Sequence, residues 1–547
     1  MNRMALLLLV SLLALSCGSE PSPSPPPTTT AASGGGGAGG GDGGGGQGGD
    51  VVVTTGGPAK GTSIGEARAW LGIPYAAPPL GALRFKAAQP VVAWAEPREA
   101  SEVGPICPQR DMMTGKYVSD SSEDCLTLNV WAPSAAPGAP LPVMVWLHGG
   151  GFVVGSGHGE GTYSGEHLAP AGPVVLVTVN YRLGPLGFLA HTALSAEDPG
   201  HPWSGNYGLE DQRFALEWVR DNIAAFGGDP TNVTIFGESA GGISVVAHLV
   251  SPQSKGLFAR AVVQSGPAES LMMPLAWGEA QGADFAKTAG CEGDGAKAIA
   301  CLRAKKAEEI VAAQPQEPFL FGSGPSWAPW VDGHVLPEAG PKALAAGDVN
   351  AGPVLLGSNK DEGTLFIALA KLGDITEQQY AQIVKSLPYT AAHADAVLGE
   401  YPASAYDKPA DALTDVVGHG LFNCSTRRTA RALRKNGAQV FLYYFTREVD
   451  FVLGDWGAFH SAELAFLFGT KELGVTPLAA EDKPLSEAMM GYWTRFAQGG
   501  DPNGAGAVVW PEYDQPGDQH LVLDLAIATG SDLLADKCDF WDSIAPK

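Results

Sequence analysis

The chain has 547 residues, a formal charge of −24 and a hydrophobic content of 45%. An excess of carboxylates that large argues against nucleic acid as a partner and gives no attraction to anionic lipid. The length leaves room for one large α/β enzyme with a substantial core.

Taken in order, the chain begins with a targeting segment. Arg3 supplies positive charge, and Met4 to Leu13 is an apolar run too short to be a permanent span. The run ends in Ala14-Leu15-Ser16-Cys17-Gly18, which resembles a bacterial lipoprotein signal with Cys17 as the lipidated residue. Ala14 and Leu15 depart from that pattern, and an ordinary secretory signal cut nearby is the alternative. Both readings export the protein. Residues 18–50 are rich in Pro, Ser and Thr and then almost pure Gly, so they bury no core and read as a tether. Six cysteines follow: Cys107, Cys125, Cys291, Cys301, Cys424 and Cys538. An even number in an exported chain suggests disulfides, and spacing alone does not choose among the pairings. There is no Cys-x-x-Cys pair, which speaks against zinc and thioredoxin-type sites.

Val51 to Thr54 reads as a first strand, and Trp70 to Tyr75 as the start of an irregular region. Leu126 to Trp131 alternates like a strand. Pro142 to Leu147 and Val174 to Val179 are continuous apolar runs, as expected of strands buried on both faces. Tyr207 to Phe226 has helical spacing. Val233 to Phe236 is a strand that runs into Gly237-Glu238-Ser239-Ala240-Gly241, with helical spacing after it. Strands are also expected at Ala261–Gln264, Val354–Gly357, Gln439–Phe445 and Leu521–Leu525. Helices fill about 277–309, 376–434, 462–468 and 485–498. The alternation predicts an α/β chain: a large, mostly parallel central sheet covered by helices on both faces, with helical insertions. Residues 51–547 show no linker and read as one domain.

The chemistry starts at Ser239. A strand, a Gly-x-Ser-x-Gly turn and a helix form the context of a nucleophile elbow, in which the turn is too tight for bulky neighbours. In a chain with 73 glycines the motif alone is weak, so the flanking elements carry the reading. A serine hydroxyl needs a base, an orienting carboxylate and backbone donors for the oxyanion. Gly149-Gly150-Gly151-Phe152 follows a buried strand and offers Gly150 and Gly151 as donors, with Ala240 as the third. For the acid, Glu362 lies just past a strand, and Asp361 is its immediate rival. For the base, His460 and His419 remain competitors on spacing alone.

The motifs taken together resemble the type-B carboxylesterases of the carboxylesterase/cholinesterase family. They are Gly81-Ala82-Leu83-Arg84-Phe85, Ser122 to Leu126, His148 to Phe152, Asn180-Tyr181-Arg182, Asp211-Gln212-Arg213, Gly237 to Gly242, Lys360 to Gly363 and Gly457 to Glu463. The resemblance runs from about Val51 to the C-terminus. It implies an α/β-hydrolase fold and an ester substrate with water as co-substrate. It also implies Ser239 as nucleophile, His460 as base and Glu362 as acid, with Gly150, Gly151 and Ala240 as oxyanion donors. No metal and no organic cofactor are expected. The family's disulfides imply Cys107–Cys125, Cys291–Cys301 and Cys424–Cys538. Its buried ion pairs imply Arg84 with Glu123 and Arg182 with Asp211. One departure bears on substrate. In cholinesterases the loop corresponding to 108–124 carries a Trp that holds choline's cation, whereas here Tyr117 is its sole aromatic residue. That favours neutral esters. Trp203, Trp327, Trp330 and Trp456 are candidates for an acyl or alcohol pocket, or ordinary core. A cholinesterase-like binding module without catalysis, or a hydrolase of carbamates, amides or polyesters, are the competing readings.

Overall fold

The frame of the molecule is an eleven-stranded sheet. A computed structural model describes residues 50–135, 138–271, 273–315, 327–347, 349–350, 352–451, 454–470, 478–514 and 516–545. The targeting segment, Cys17 and nearly all of the tether lie outside the described residues.

In chain order the strands are β1 (Thr62–Ile64), β2 (Ala67–Pro74), β3 (Thr127–Pro133), β4 (Leu141–Leu147), β5 (Val175–Val179) and β6 (Gly228–Glu238). They continue as β7 (Arg260–Gln264), β8 (Val354–Asn359), β9 (Val440–Phe445), β10 (His520–Leu523) and β11 (Ala528–Gly530). Their order across the sheet is β1-β2-β3-β5-β4-β6-β7-β8-β9-β10-β11. From β5 across to β10 every neighbouring pair is parallel. The β1–β2–β3 edge, its join to β5, and β11 are antiparallel. Val51–Val53 is a strand, but it pairs in a separate three-stranded sheet with Pro58–Lys60 and Arg98–Glu99.

The expectation of an irregular region from Trp70 is corrected here. Ala67–Pro74 is a strand of the central sheet, and its register against β3 shifts between Trp70 and Ile73. Gly72 sits at that shift with φ +66°, a conformation that glycine adopts freely. The Gly and Pro that read as punctuation are the means by which the strand bends.

Successive residues of β4 point to opposite faces, and both faces are buried. Val143, Val145 and Leu147 join a core that includes Leu216 and Val219 of helix α1 (Tyr207–Asn222) and Val245 and Leu249 of α2 (Ala240–Val250). Met144 and Trp146 join the opposite core. A third apolar cluster lies among α3 (Gly363–Leu369), α4 (Pro409–Val417), α5 (Cys424–Lys435) and the C-terminal α8 (Ala535–Ile544). Helices α6 (Glu463–Phe468) and α7 (Lys483–Gly499) complete the second core with Phe466, Met489 and Trp493. The expected helical stretches at about 277–309 and 376–434 are broken into several helices.

Cys107–Cys125, Cys291–Cys301 and Cys424–Cys538 are bonded. The Arg182 guanidinium meets Asp211 in two parallel contacts, Nη2–Oδ1 at 2.6 Å and Nε–Oδ2 at 2.7 Å. Arg84 meets Glu123 in the same manner, at 2.7 and 2.5 Å, and also donates to the carbonyls of Leu302 and Lys305.

Candidate active site

Strand β6 ends at Glu238 and α2 begins at Ala240, so a single residue must reverse the chain. That residue is Ser239, with φ 56° and ψ −121°. A non-glycine residue at such angles is strained and persists only where its surroundings hold it. The Ser239 N–H donates to the Gln264 carbonyl at 2.9 Å, and the Ser239 carbonyl accepts from the Ile243 N–H at 2.8 Å. The neighbours have no room for a side chain. A Cβ on Gly241 would stand 1.9 Å from the Leu147 carbonyl oxygen, and one on Gly237 2.6 Å from Gly241. Ser239 is half-buried, at the carboxyl end of a parallel strand and the N-terminus of a helix.

The glycine loop read as the oxyanion loop follows β4. Gly150 has φ +100° and Gly151 +61°, both in the left-handed region. A Cβ on Gly149 would lie 3.2 Å from the Ser239 Cβ, so this loop passes directly over the serine. His148 is stacked on Tyr181 at 4.3 Å, and Tyr181 Oη donates to the His148 carbonyl at 2.6 Å. Burial pushes the His148 imidazole down to about 4, so it is neutral and serves as scaffold.

His460 Nδ1 donates to Glu362 Oε2 at 2.5 Å, and both side chains are buried. The other Glu362 oxygen accepts from Ser265 Oγ at 2.5 Å and from the Asn359 N–H at 2.8 Å. These donors fix the carboxylate as an acceptor. Asp361, the rival acid, turns the other way, and its Oδ2 accepts the Ala458 N–H at 2.8 Å. His419, the rival base, pairs with Tyr401 Oη at 3.2 Å.

Three carboxyl groups surround the imidazole. Besides Glu362, Glu238 Oε1 stands 3.1 Å from His460 Nε2, without the alignment of a hydrogen bond, and accepts from Ser461 Oγ at 2.7 Å. Glu463 accepts from Gln264 Nε2 at 2.9 Å and Asn359 Nδ2 at 2.6 Å. Burial acts to lower His460, but the charges of Glu238 and Glu362 prevail and push it up to about 9. Burial pushes Glu238 up to about 8, opposed by His460. The two shifts conflict, since a protonated Glu238 no longer supports a charged His460. We take Glu238 as protonated near neutral pH, because burial dominates it, and Glu362 as the acceptor that holds the imidazole. Nε2 of His460 makes no aligned hydrogen bond among the described residues. It is the position at which a serine hydroxyl can deliver its proton.

The remaining surroundings of His460 are aromatic. Phe366 and Phe422 flank His460 at 4.9 and 4.7 Å. Of the four tryptophans, Trp327 and Trp330 are core, and Trp330 Nε1 donates to the Phe188 carbonyl at 2.9 Å. Trp203 is stacked on His334 at 4.2 Å and tilted against His201 at 4.1 Å. Trp456 packs edge-on to Phe459, the residue before His460, at 5.7 Å. Glu238, Ser461 and Glu463 lie within the quoted motifs without being given a role, and Ser265, Phe366 and Phe422 escape the sequence reading. For Glu238 and Ser461 the signal was adjacency: each directly neighbours a residue already singled out.

A strained serine between a parallel strand and a helix, beneath a glycine loop, with its neighbour Glu238 against a carboxylate–imidazole pair, is the arrangement of an α/β-hydrolase. The profile of the carboxylesterase family matches residues 49–541. The para-nitrobenzyl esterase of Bacillus subtilis (strain 168) is 36% identical over 501 residues, covering 88% of this chain and 96% of that one. A medium-chain fatty acyl-CoA hydrolase precursor of Anas platyrhynchos is 36% identical over 503 residues, covering 86% and 87%. The acetylcholinesterase of Bungarus fasciatus is 34% identical over 532 residues, covering 90% and 86%. A solved PNB esterase superimposes with a TM-score of 0.78 at 35% identity, covering 90% of this chain and 99% of that one. The chain belongs to the carboxylesterase family and is a carboxylic ester hydrolase of the serine type.

Proposed function

We propose that the protein hydrolyses carboxylic esters of small neutral molecules through an acyl-enzyme on Ser239. Ser239 Oγ attacks the ester carbonyl while His460 Nε2 takes its proton. The N–H groups of Gly150, Gly151 and Ala240 receive the negative oxygen. The intermediate collapses, His460 returns the proton to the leaving alcohol, and the acyl group stays on Ser239. Water then attacks, again deprotonated by His460, and the acid leaves. Glu362 keeps Nδ1 protonated so that Nε2 is the basic nitrogen. The observation that supports this most directly is the 2.5 Å bond between His460 Nδ1 and Glu362 Oε2, whose acceptor is itself held by two donors. A protonated Glu238 and a 108–124 loop without Trp favour neutral over cationic esters.

The test is hydrolysis of p-nitrophenyl acetate, butyrate and octanoate by the wild type and Ser239→Ala. Activity lost in the variant supports the reading, and the chain-length profile sizes the acyl pocket. Equal activity in both would sink it.

We also propose export, with a lipid on Cys17. The short apolar run before Cys17 supports this. So do three disulfides, which persist in oxidising compartments. The mass of the mature N-terminus is the check. An unmodified Cys17, or cleavage elsewhere, would overturn the anchor.

A further inference from the structure

Helices α4 and α5 are joined without a break by a π-turn, Gly418–Asn423, in which the backbone hydrogen bonds reach one residue further than in an α-helix. One extra residue turns every later side chain by about 100° relative to a regular helix. Here the turn places Phe422 against His460. Phe366 and Phe422 are parallel to within 9°, with centroids 5.4 Å apart. The imidazole packs against both, tilted 48° to each. Both rings belong to the third apolar cluster, and both also touch the imidazole.

What the rings offer is specific to a base. His460 sits on an irregular loop, followed by Ser461 at φ 75°. Its orientation is therefore set by its neighbours. The two rings oppose rotation that would draw Nδ1 off Glu362. They also keep water from that pair, and their π-electrons favour the imidazolium that forms during catalysis.

We propose that the π-turn is a positioning element for His460, with Phe422 as its working residue, and that the C-terminal helix α8 holds it in place. This rests on the reading of His460 as the base. Four contacts fix the turn. Asn423 Nδ2 donates to Ser358 Oγ at 2.9 Å and to the Asn359 carbonyl at 2.8 Å, on the strand that leads to Glu362. Gly420 lies so close to Trp541 of α8 that a Cβ would stand 2.6 Å from its ring. Cys424, the next residue after the turn, is bonded to Cys538 of α8. The last helix of the chain thus reaches the base through the turn.

The experiment compares Phe422→Leu, Phe422→Tyr and Gly420→Ala with the wild type in kcat, KM and the pH profile of kcat. It adds the low-field proton NMR signal of the Nδ1–H on Glu362. The expected result for Phe422→Leu is a fall of about 10- to 100-fold in kcat. KM should stay near the wild-type value, the acid limb should be displaced and the low-field signal broadened. Phe422→Tyr, which keeps the ring, should recover most of the rate. Wild-type kcat and pH profile in Phe422→Leu would overturn the proposal, and so would a rise in KM alone, which would make Phe422 a pocket wall. If Phe422→Leu does not fold, Gly420→Ala decides: lowered kcat supports the proposal, and wild-type kinetics overturn it. Retained activity in Ser239→Ala or His460→Ala is a different failure, that of the catalytic reading itself.

Discussion

Two buried acid–base pairs of similar closeness are used in opposite ways. Arg182 and Asp211 are 2.6 Å apart and His460 and Glu362 2.5 Å apart, with all four side chains nearly inaccessible. Around the first pair, burial lifts Asp211 while Arg182 pulls it down, and Asp211 holds Arg182 charged against burial. The two tendencies disagree about the carboxyl. We take the pair as ionised, because a guanidinium has no accessible neutral form. Its two parallel contacts use the whole carboxylate, so nothing remains to react. The second pair is joined by one contact, and the imidazole keeps a second nitrogen. A cation that cannot titrate makes a joint. One that can, with a second nitrogen left without an aligned hydrogen bond, has what a base needs.

The sharpest way to break this contrast is to remove the charge from each carboxylate. Glu362→Gln should lower kcat by about 10⁴-fold, as in other triads, with the urea unfolding midpoint close to wild type. Asp211→Asn should do the reverse. It strands the Arg182 charge and should cost ~3–5 kcal/mol in urea unfolding, while kcat per folded molecule stays unchanged. Stability loss in the first variant, or rate loss in the second, would erase the distinction.

A smaller effect concerns the third carboxyl. If His460 is the base, it acts when neutral, so activity should rise with pH along an acid limb. Glu238 is protonated near neutral pH, so Glu238→Gln exchanges one neutral group for another. The acid limb of kcat/KM in that variant should stay at its wild-type position. A limb displaced to lower pH would mean that Glu238 carries a charge that His460 feels. The smallest effect on stability belongs to an exposed pair, Lys60 and Glu99, 3.0 Å apart with side chains 39% and 66% exposed. Glu99→Gln should change the unfolding free energy by less than ~1 kcal/mol, and the difference should fade in high salt.

The parts of this contrast legible in the sequence are those where local pattern and final geometry agree. The apolar runs at 142–147 and 174–179 announce doubly buried strands because both faces are covered. Gly237 to Gly241 announces its turn because only small residues fit there. Ala67–Pro74 is misread because a bent strand uses the residues that also end strands. The choice between Asp361 and Glu362 depends on which way two adjacent side chains turn, which spacing does not encode. Phe422 is hidden for a different reason. A π-turn shifts the helical period within the segment, and the third dimension alone brings it to a histidine nearly forty positions later.

The glycines around Ser239 set a limit on how this enzyme can be engineered. A Cβ on Gly241 would meet Leu147 at 1.9 Å, one on Gly266 would meet Gly242 at 2.4 Å, and one on Gly242 would meet Gln264 at 2.6 Å, all backbone atoms. Saturation mutagenesis across 237–266 should return these positions with a single permitted letter, whatever the substrate selected for. New specificities will have to be sought in the surrounding loops and helices, because the backbone beneath the nucleophile admits no variation to select from.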